Sequence, residues 1–336
     1  MTAEEAAAAL SEIGYHLRHQ QDTHRARAFH RAAASLIRER RDLMQIREAG
    51  ELESIPGVGS GIAKVLTELV DTGQSDYLAK LRDEAGPSLT VDISVSPPAQ
   101  AGYQGDLHCH TDWSDGGATV LEMAEGALAR GYTYLCITDH SPRMTIVNGL
   151  GPERLAAQRR LIDEANARLD RITVLQGIEV DILEDGSLDL PDETLAALDV
   201  VIGSPHLKLR MDRASMTERM LRAVNHPHID IVGHPTGSRP GSRAAAEYDY
   251  EQVFRAAAKN NVAMEIDCDP ARMDLSPELA RLAADCGCRL SLDSDAHAPD
   301  QFVYVDLGLW MARQAGLDSR QLINWLPLDE LQRKFK

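Results

Sequence analysis

Between residues 105 and 297 seven short apolar runs recur: "DLHCH", "YLCITDH", "ITVLQGIEV", "DVVIGSPH", "IDIVGHP", "VAMEIDC" and "RLSLDSDAH". Helical stretches or long loops separate most of them. Short runs of this kind read as buried strands, and strands that alternate with helices pair in parallel through crossovers. The pattern predicts an α/β fold, a distorted seven-stranded (β/α)7 barrel related to the (β/α)8 barrel but one strand short. Enzymes of that architecture build their sites at the C-terminal ends of the strands.

Polar residues collect at those ends. The first run closes on His108 and His110, with Asp115 just beyond. Alternate side chains of an extended segment share a face, so both imidazoles point one way and Cys109 the other. The second run ends in His140, the third carries Glu179, the fourth ends at His206 and the fifth at His234. The seventh supplies Asp295 and His297. Any one of these histidines alone reads as an ordinary satisfied polar group. Together, six of the chain's 12 histidines and three carboxylates occupy one kind of position. Such a cluster is costly to bury without a cation. Divalent metal removes that cost, and mixed imidazole and carboxylate ligation suits Zn, Mn or Fe alike. Cys286 and Cys288 form a weaker pair of candidate soft ligands.

Ahead of the barrel, residues 1–85 carry Ala, Leu, Ile and Phe at helical spacing with Arg on the opposite face. "LESIPGVGSGIAKVLTELVDTG" places an Ile-Pro-Gly-Val-Gly turn between two helical segments. Gly57, Gly59 and Gly61 leave backbone N–H groups at a helix N-terminus open to a phosphate. The reading is a helix-hairpin-helix that touches the DNA backbone without reading sequence, the alternative being a plain helix–helix turn. Lys64, Arg25, Arg27 and Arg31 are further candidate phosphate contacts, or else a solvated helix face. Residues 86–104 hold three prolines and read as a linker, with a short strand possible at "LTVDISV".

The formal net charge of −17 argues against indiscriminate nucleic-acid binding. It is uneven, however. Residues 13–47 hold eight arginines against three acids, whereas residues 86–336 hold 24 basic and 38 acidic residues. No run of 18 apolar residues is present, and "MTAEEAAAALSEIGYHL" has neither the basic nor the apolar part of a secretion signal. Five cysteines without framework spacing fit a reducing, cytoplasmic setting. No protein partner is legible.

His108-x-His110, Asp115, "ITDHS", "GIEVDI", "GSPH", "GHPTG" and "SDAH" resemble the polymerase-and-histidinol-phosphatase (PHP) domain over essentially all of 105–336. "HSPRMTIVNGL", "DGSLDLPDETL" and "RMDLS" further resemble the PHP domain that ends bacterial family X DNA polymerases, and the helical first part resembles the first domain of the same proteins. The roughly twenty intervening residues leave no room for palm, fingers and thumb. The resemblance implies three divalent ions. His108, His110, Glu179 and Asp295 would hold one. Glu179, as a bridge, would hold a second with His206 and His234. Asp115, His140 and His297 would hold the third. It implies hydrolysis by metal-activated hydroxide, with Glu179, Asp295, His297 and Arg143 as the catalytic set. Arg143, Lys208, Arg210, Arg239 and Arg272 follow strand ends and are candidate phosphate contacts. The lysine that related eukaryotic polymerases use to remove deoxyribose phosphate falls at Val65, which argues against lyase chemistry.

Three functions follow as expectations. The first is a metal-dependent DNA phosphoesterase for 3′ ends or abasic sites in repair, without polymerase activity. The second is a small-molecule phosphatase acting on a substrate such as histidinol phosphate. The third is a DNA-binding adaptor with structural metals. A monoester phosphatase needs no helix-hairpin-helix, and an adaptor needs no complete ligand set on the catalytic face.

Overall fold

A computed structural model describes residues 1–39, 41–85 and 102–335. The chain divides into two units, 1–96 and 97–336. Most of the expected linker, with its "LTVDISV" strand, lies outside the described residues.

The first unit is helical. Helix α1 (Ala3–His19) starts from Thr2 through a reciprocal capping box with Glu5, and α2 (Thr23–Arg38) starts from Asp22. Short α3 (Leu43–Glu48) leads through a 3-10 turn to the hairpin, α4 (Ser60–Thr72) follows it, and α5 (Asp76–Ala85) closes the unit. One apolar core joins them, including Leu10, Ile13 and Leu17 of α1, Phe29 and Leu36 of α2, and Leu66 and Leu69 of α4. Ile55 and Val58 sink into the same core and so fix the hairpin. Of the hairpin glycines Gly57, Gly59 and Gly61, only Gly57 needs to be glycine on backbone grounds, with φ +82°. Glu12 and Arg82 clamp α1 to α5 through two bonds of 2.6 and 2.7 Å.

The second unit is a sheet of seven parallel strands in the order β1 to β7. They are β1 (Gly105–Asp106), β2 (Tyr134–Ile137), β3 (Thr173–Asp181), β4 (Val200–Ser204), β5 (Ile231–Val232), β6 (Ala263–Asp267) and β7 (Leu290–Asp293). Crossover helices α6 (Val120–Ala129), α7 (Pro152–Arg168), α8 (Asp192–Leu195), α9 (Arg213–Val224), α10 (Tyr250–Lys259) and α11 (Pro277–Asp285) separate them, and α12 (Val305–Gln314) and α13 (Leu328–Lys334) follow. Leu107, Tyr134, Leu175, Val200, Ile202, Ile231 and Ala263 pack into one cluster with Ile323 and Leu331.

Seven strands leave a seam between β7 and β1. Side chains close it, together with one backbone bond just beyond the strands, from His110 N to Ala296 O (2.8 Å). Asn324 donates to Gly105 O (3.0 Å) and to Asp293 (2.8 Å), and accepts from Leu292 N (2.7 Å). Asp293 accepts from Leu107 N, and Asp106 from Ser294 N. Tyr103, placed in the linker by sequence, is buried here and donates to Leu292 O. The first strand is accordingly shorter than "DLHCH" suggests. Its ladder stops at Asp106, because the amides of Leu107, His108 and Cys109 turn to the side chains of Asp293, Asp106 and Thr138.

Candidate metal centre

The sheet brings the nine strand-end residues into one largely buried cluster around Glu179. This carboxylate is near the end of β3 and 1% exposed. Its Oε1 lies 2.7 Å from His234 Nε2 and 3.1 Å from His206 Nε2. Its Oε2 lies 2.8 Å from His140 Nδ1, 3.6 Å from His108 Nε2 and 3.7 Å from His110 Nε2. Asp295 Oδ1 is 2.9 Å from His110 Nε2 and 3.7 Å from His108 Nε2. At the other side Asp115 Oδ2 lies 3.4 Å from His297 Nε2 and 3.6 Å from His140 Nε2. His108 and His110 do share a face, their rings 5.2 Å apart, while Cys109 turns its thiol to Cys136 O.

Three sets of donor atoms each close on a common centre: His110, Asp115, His140 and His297; His108, His110 and Asp295; and His140, Glu179 and His206. The partition differs in detail from the one implied by resemblance. His110 and His140 each face two sets, and His234 joins through Glu179.

Donor geometry fits cations better than mutual hydrogen bonds. His108 Nε2, His110 Nδ1 and Nε2, His140 Nδ1, His206 Nε2 and Glu179 Oε2 are buried and make no hydrogen bond, despite their close approach. Orphaned buried polar atoms are rare in native proteins, and a group of them pointing together marks an ion site. Three outward nitrogens are held. His108 Nδ1 donates to Glu265 (2.6 Å), His206 Nδ1 to Asp181 (3.0 Å) and His297 Nδ1 to Asp295 O (2.7 Å). Each of those bonds fixes a tautomer with the Nε2 lone pair facing the cluster.

Electrostatics agree. Burial alone would raise the Glu179 carboxyl, but His206, His140 and His108 hold it well below the usual range. Burial pushes Glu265 up to about 7, against the pull of His108. Burial, Asp295 and Glu265 raise Asp267 well above its ordinary value. His234 and Asp295 take positive φ values of 25° and 50°, a backbone cost of about 1 kcal/mol or more each that the surroundings must offset.

Glu265, Asp267 and Asp181 were missed in the sequence. Strand β6 brings no histidine that would mark its carboxylates as part of the cluster. The available signal was two acids, Glu265 and Asp267, at alternating positions of an otherwise apolar buried run. Asp139 beside His140 faces the opposite way and is fully bonded by Thr111, Ser114 and Gln158.

Among the strand-end cations, Arg272 alone is drawn in. It is buried, its Nε lies 3.1 Å from Asp295 and 3.2 Å from Asp267, and its Nη1 has no hydrogen bond. Arg143 lies apart: its guanidinium reaches Glu184 at 3.3 Å and its amide donates to Asp189. Lys208, Arg210 and Arg239 are exposed. The five cysteines are free, and Cys286 and Cys288 belong to none of the donor sets found among the described residues.

In the helical unit Gly57, Gly59, Gly61, Lys64 and Arg31 are exposed, and a side chain at Gly59 or Gly61 would meet nothing within 4 Å. Arg31 lies against Gly57. Arg27 is half-buried on α2, and Arg25 is engaged by Asp22 (2.6 Å) and Tyr77 (3.1 Å). Val65 is buried in the core. Among the described residues no helix is long and apolar enough to cross a membrane.

Residues 1–75 match a helix-hairpin-helix family, and residues 106–268 match the PHP domain. The DNA polymerase/3′-5′ exonuclease PolX of Bacillus subtilis is 38% identical over 289 residues, covering 86% of this chain and 50% of that one. The present chain thus spans about half the length of that relative. Residues 76–105, between the two matched regions, are too few for a polymerase core. A probable phosphatase of Photobacterium profundum is 32% identical over 57% of this chain and 77% of its own length. One from Caldanaerobacter subterraneus is 30% identical over 57% and 75%. A solved histidinol phosphate phosphatase from Lactococcus lactis, complexed with zinc, L-histidinol and phosphate, aligns at 16% identity and TM-score 0.46 over 64% of this chain and 95% of that one. The matched barrel and the relatives of which this chain covers three quarters or more lead to one statement: the chain belongs to the PHP-domain family of hydrolases, with a helix-hairpin-helix domain ahead of the barrel.

Proposed function

We propose that this protein is a cytoplasmic, metal-dependent phosphoesterase that hydrolyses DNA at 3′ ends or abasic sites. The observation that carries the reading is the coexistence, in one chain, of a nine-residue donor cluster and a helix-hairpin-helix whose glycines and cations are exposed. Three divalent ions, Zn, Mn or Fe, would be held by His108, His110, Asp115, His140, Glu179, His206, His234, Asp295 and His297. When bound, such ions lower the pKa of water toward about 7 and clamp phosphoryl oxygens.

The chain's own residues supply the rest. Glu179 presents its two oxygens to different imidazoles and is suited to bridge. Asp295 faces His110 and His108 on one side and Arg272 on the other, so it couples the cluster to a fixed cation. Arg272 keeps an N–H free for a phosphoryl oxygen. His297, only partly buried, presents its Nε2 beside Asp115 at the open side of the cluster, where substrate enters. Arg143, bound by Glu184, is given no part in bond breaking. No serine or cysteine nucleophile is needed. Gly57, Gly59, Gly61, Lys64, Arg31 and Arg27 would hold the DNA backbone, whereas Arg25 is already paired.

The test is turnover. Metal-loaded protein is given 3′-labelled DNA, abasic-site DNA and histidinol phosphate in parallel. Cleavage of either DNA supports the reading, whereas turnover of histidinol phosphate alone makes the protein a small-molecule phosphatase.

A further inference from the structure

The nine clustered residues are not equally buried. His108, His110, Glu179 and His234 are at most 1% exposed, whereas Asp115 and His297 keep 29% and 24% of their side-chain surface open. The cluster therefore meets solvent on the Asp115–His297 side.

Two elements stand at that opening. One is the stretch 111–116, which carries Asp115 and, two residues earlier, Trp113. The other is the loop 141–149 after β2. Both ends of this loop are pinned beside the cluster: Leu150 N donates to His140 O at 2.7 Å, and Ser141 N to Glu179 O at 3.0 Å. Asn148 Nδ2 and Arg154 Nη2 both bond Trp113 O, at 3.5 and 2.6 Å, and so tie the two elements together. The Arg154 guanidinium also lies 5.5 Å from the Trp113 ring.

The loop carries Ile146 at 92% exposure, while no other exposed large apolar side chain among the described residues exceeds 42%. A branched aliphatic group held in water, two residues before the Asn148 that bonds Trp113 O, has no role in the barrel's own packing.

We propose that Ile146 and Trp113 receive the nucleobase of the terminal nucleotide whose phosphate enters the cluster. The inference rests on the DNA reading above and narrows its substrate class to phosphoesters bearing a planar heterocycle. A DNA end places a π-faced ring a few bonds from its phosphate. Apolar and aromatic contacts take any base, because every base has such a face. Arg154 next to the indole brings a cation to the same edge, suited to the neighbouring phosphate.

The experiment compares two single-stranded oligonucleotides, one with an ordinary 3′ nucleotide and one whose last residue is an abasic analogue. p-Nitrophenyl phosphate is the small control. The wild type should favour the base-bearing end by on the order of tenfold in kcat/KM. In Ile146→Ser the preference should fall toward one, mainly through KM, and Ile146→Leu should retain it. Ile146 is nearly fully exposed, so neither change threatens the fold. An undiminished preference in Ile146→Ser, or none in the wild type, overturns the proposal. A wild type that turns over p-nitrophenyl phosphate but neither oligonucleotide removes the DNA reading itself, and this inference with it.

Discussion

Glu179 gathers four imidazoles within 3.6 Å of its two oxygens, from histidines that follow four different strands. Its removal therefore disturbs more than one donor set. Glu179→Ala should lose more than one equivalent of metal, and elemental analysis of the dialysed variant checks this. Full metal content would show that the carboxylate is not shared. Glu265 acts one step further out, because it fixes the His108 tautomer and also accepts from His234 N. Substituting such a partner typically costs 10–100-fold in metal affinity. Glu265→Gln should fall in that range in a chelator competition titration, and unchanged affinity would mean that His108 is oriented without it.

At the scale of elements, parallel strands and crossover helices were legible because buried runs and strand-end histidines repeat with the same phase. The His108/His110 alternation was legible for the same reason. The seam was not. Its closure depends on Asn324, more than 200 residues from Gly105 along the chain, and a single buried amide in "LINWLP" carries no periodic signal. Glu265 and Asp181 escaped for a related cause: they serve histidines on other strands, and the sequence does not say which strands adjoin. Asn324→Ala would leave Leu292 N and Gly105 O without these bonds inside the barrel. At roughly 1–3 kcal/mol per unsatisfied buried group, the variant should lose about 2–5 kcal/mol in denaturant unfolding. A loss under about 1 kcal/mol would mean that the carboxylates and the His110–Ala296 backbone bond suffice to hold the seam.

At the scale of the whole chain, the proposed function gives the helical unit and the barrel different tasks. No template-directed nucleotide incorporation is expected, since 30 residues between the matched regions cannot hold a palm. A clean preparation incubated with primed template and deoxynucleotides checks this, and primer extension would contradict it. The central claim is that the metal cluster acts on DNA delivered through the hairpin unit. The most direct measurement is the steady-state hydrolysis of 3′-labelled DNA and of a generic small phosphoester, each followed across salt, by the wild type and by an Arg31→Glu, Lys64→Glu double variant. Both positions are exposed, so the fold should persist. The double variant should hydrolyse DNA with a KM raised on the order of tenfold and a salt dependence shallower by about one to two log units per log salt. Kinetics on the small ester should stay as they were. DNA hydrolysis that is absent, or untouched by the double variant at moderate salt, would contradict the account and leave a barrel that serves small phosphate esters.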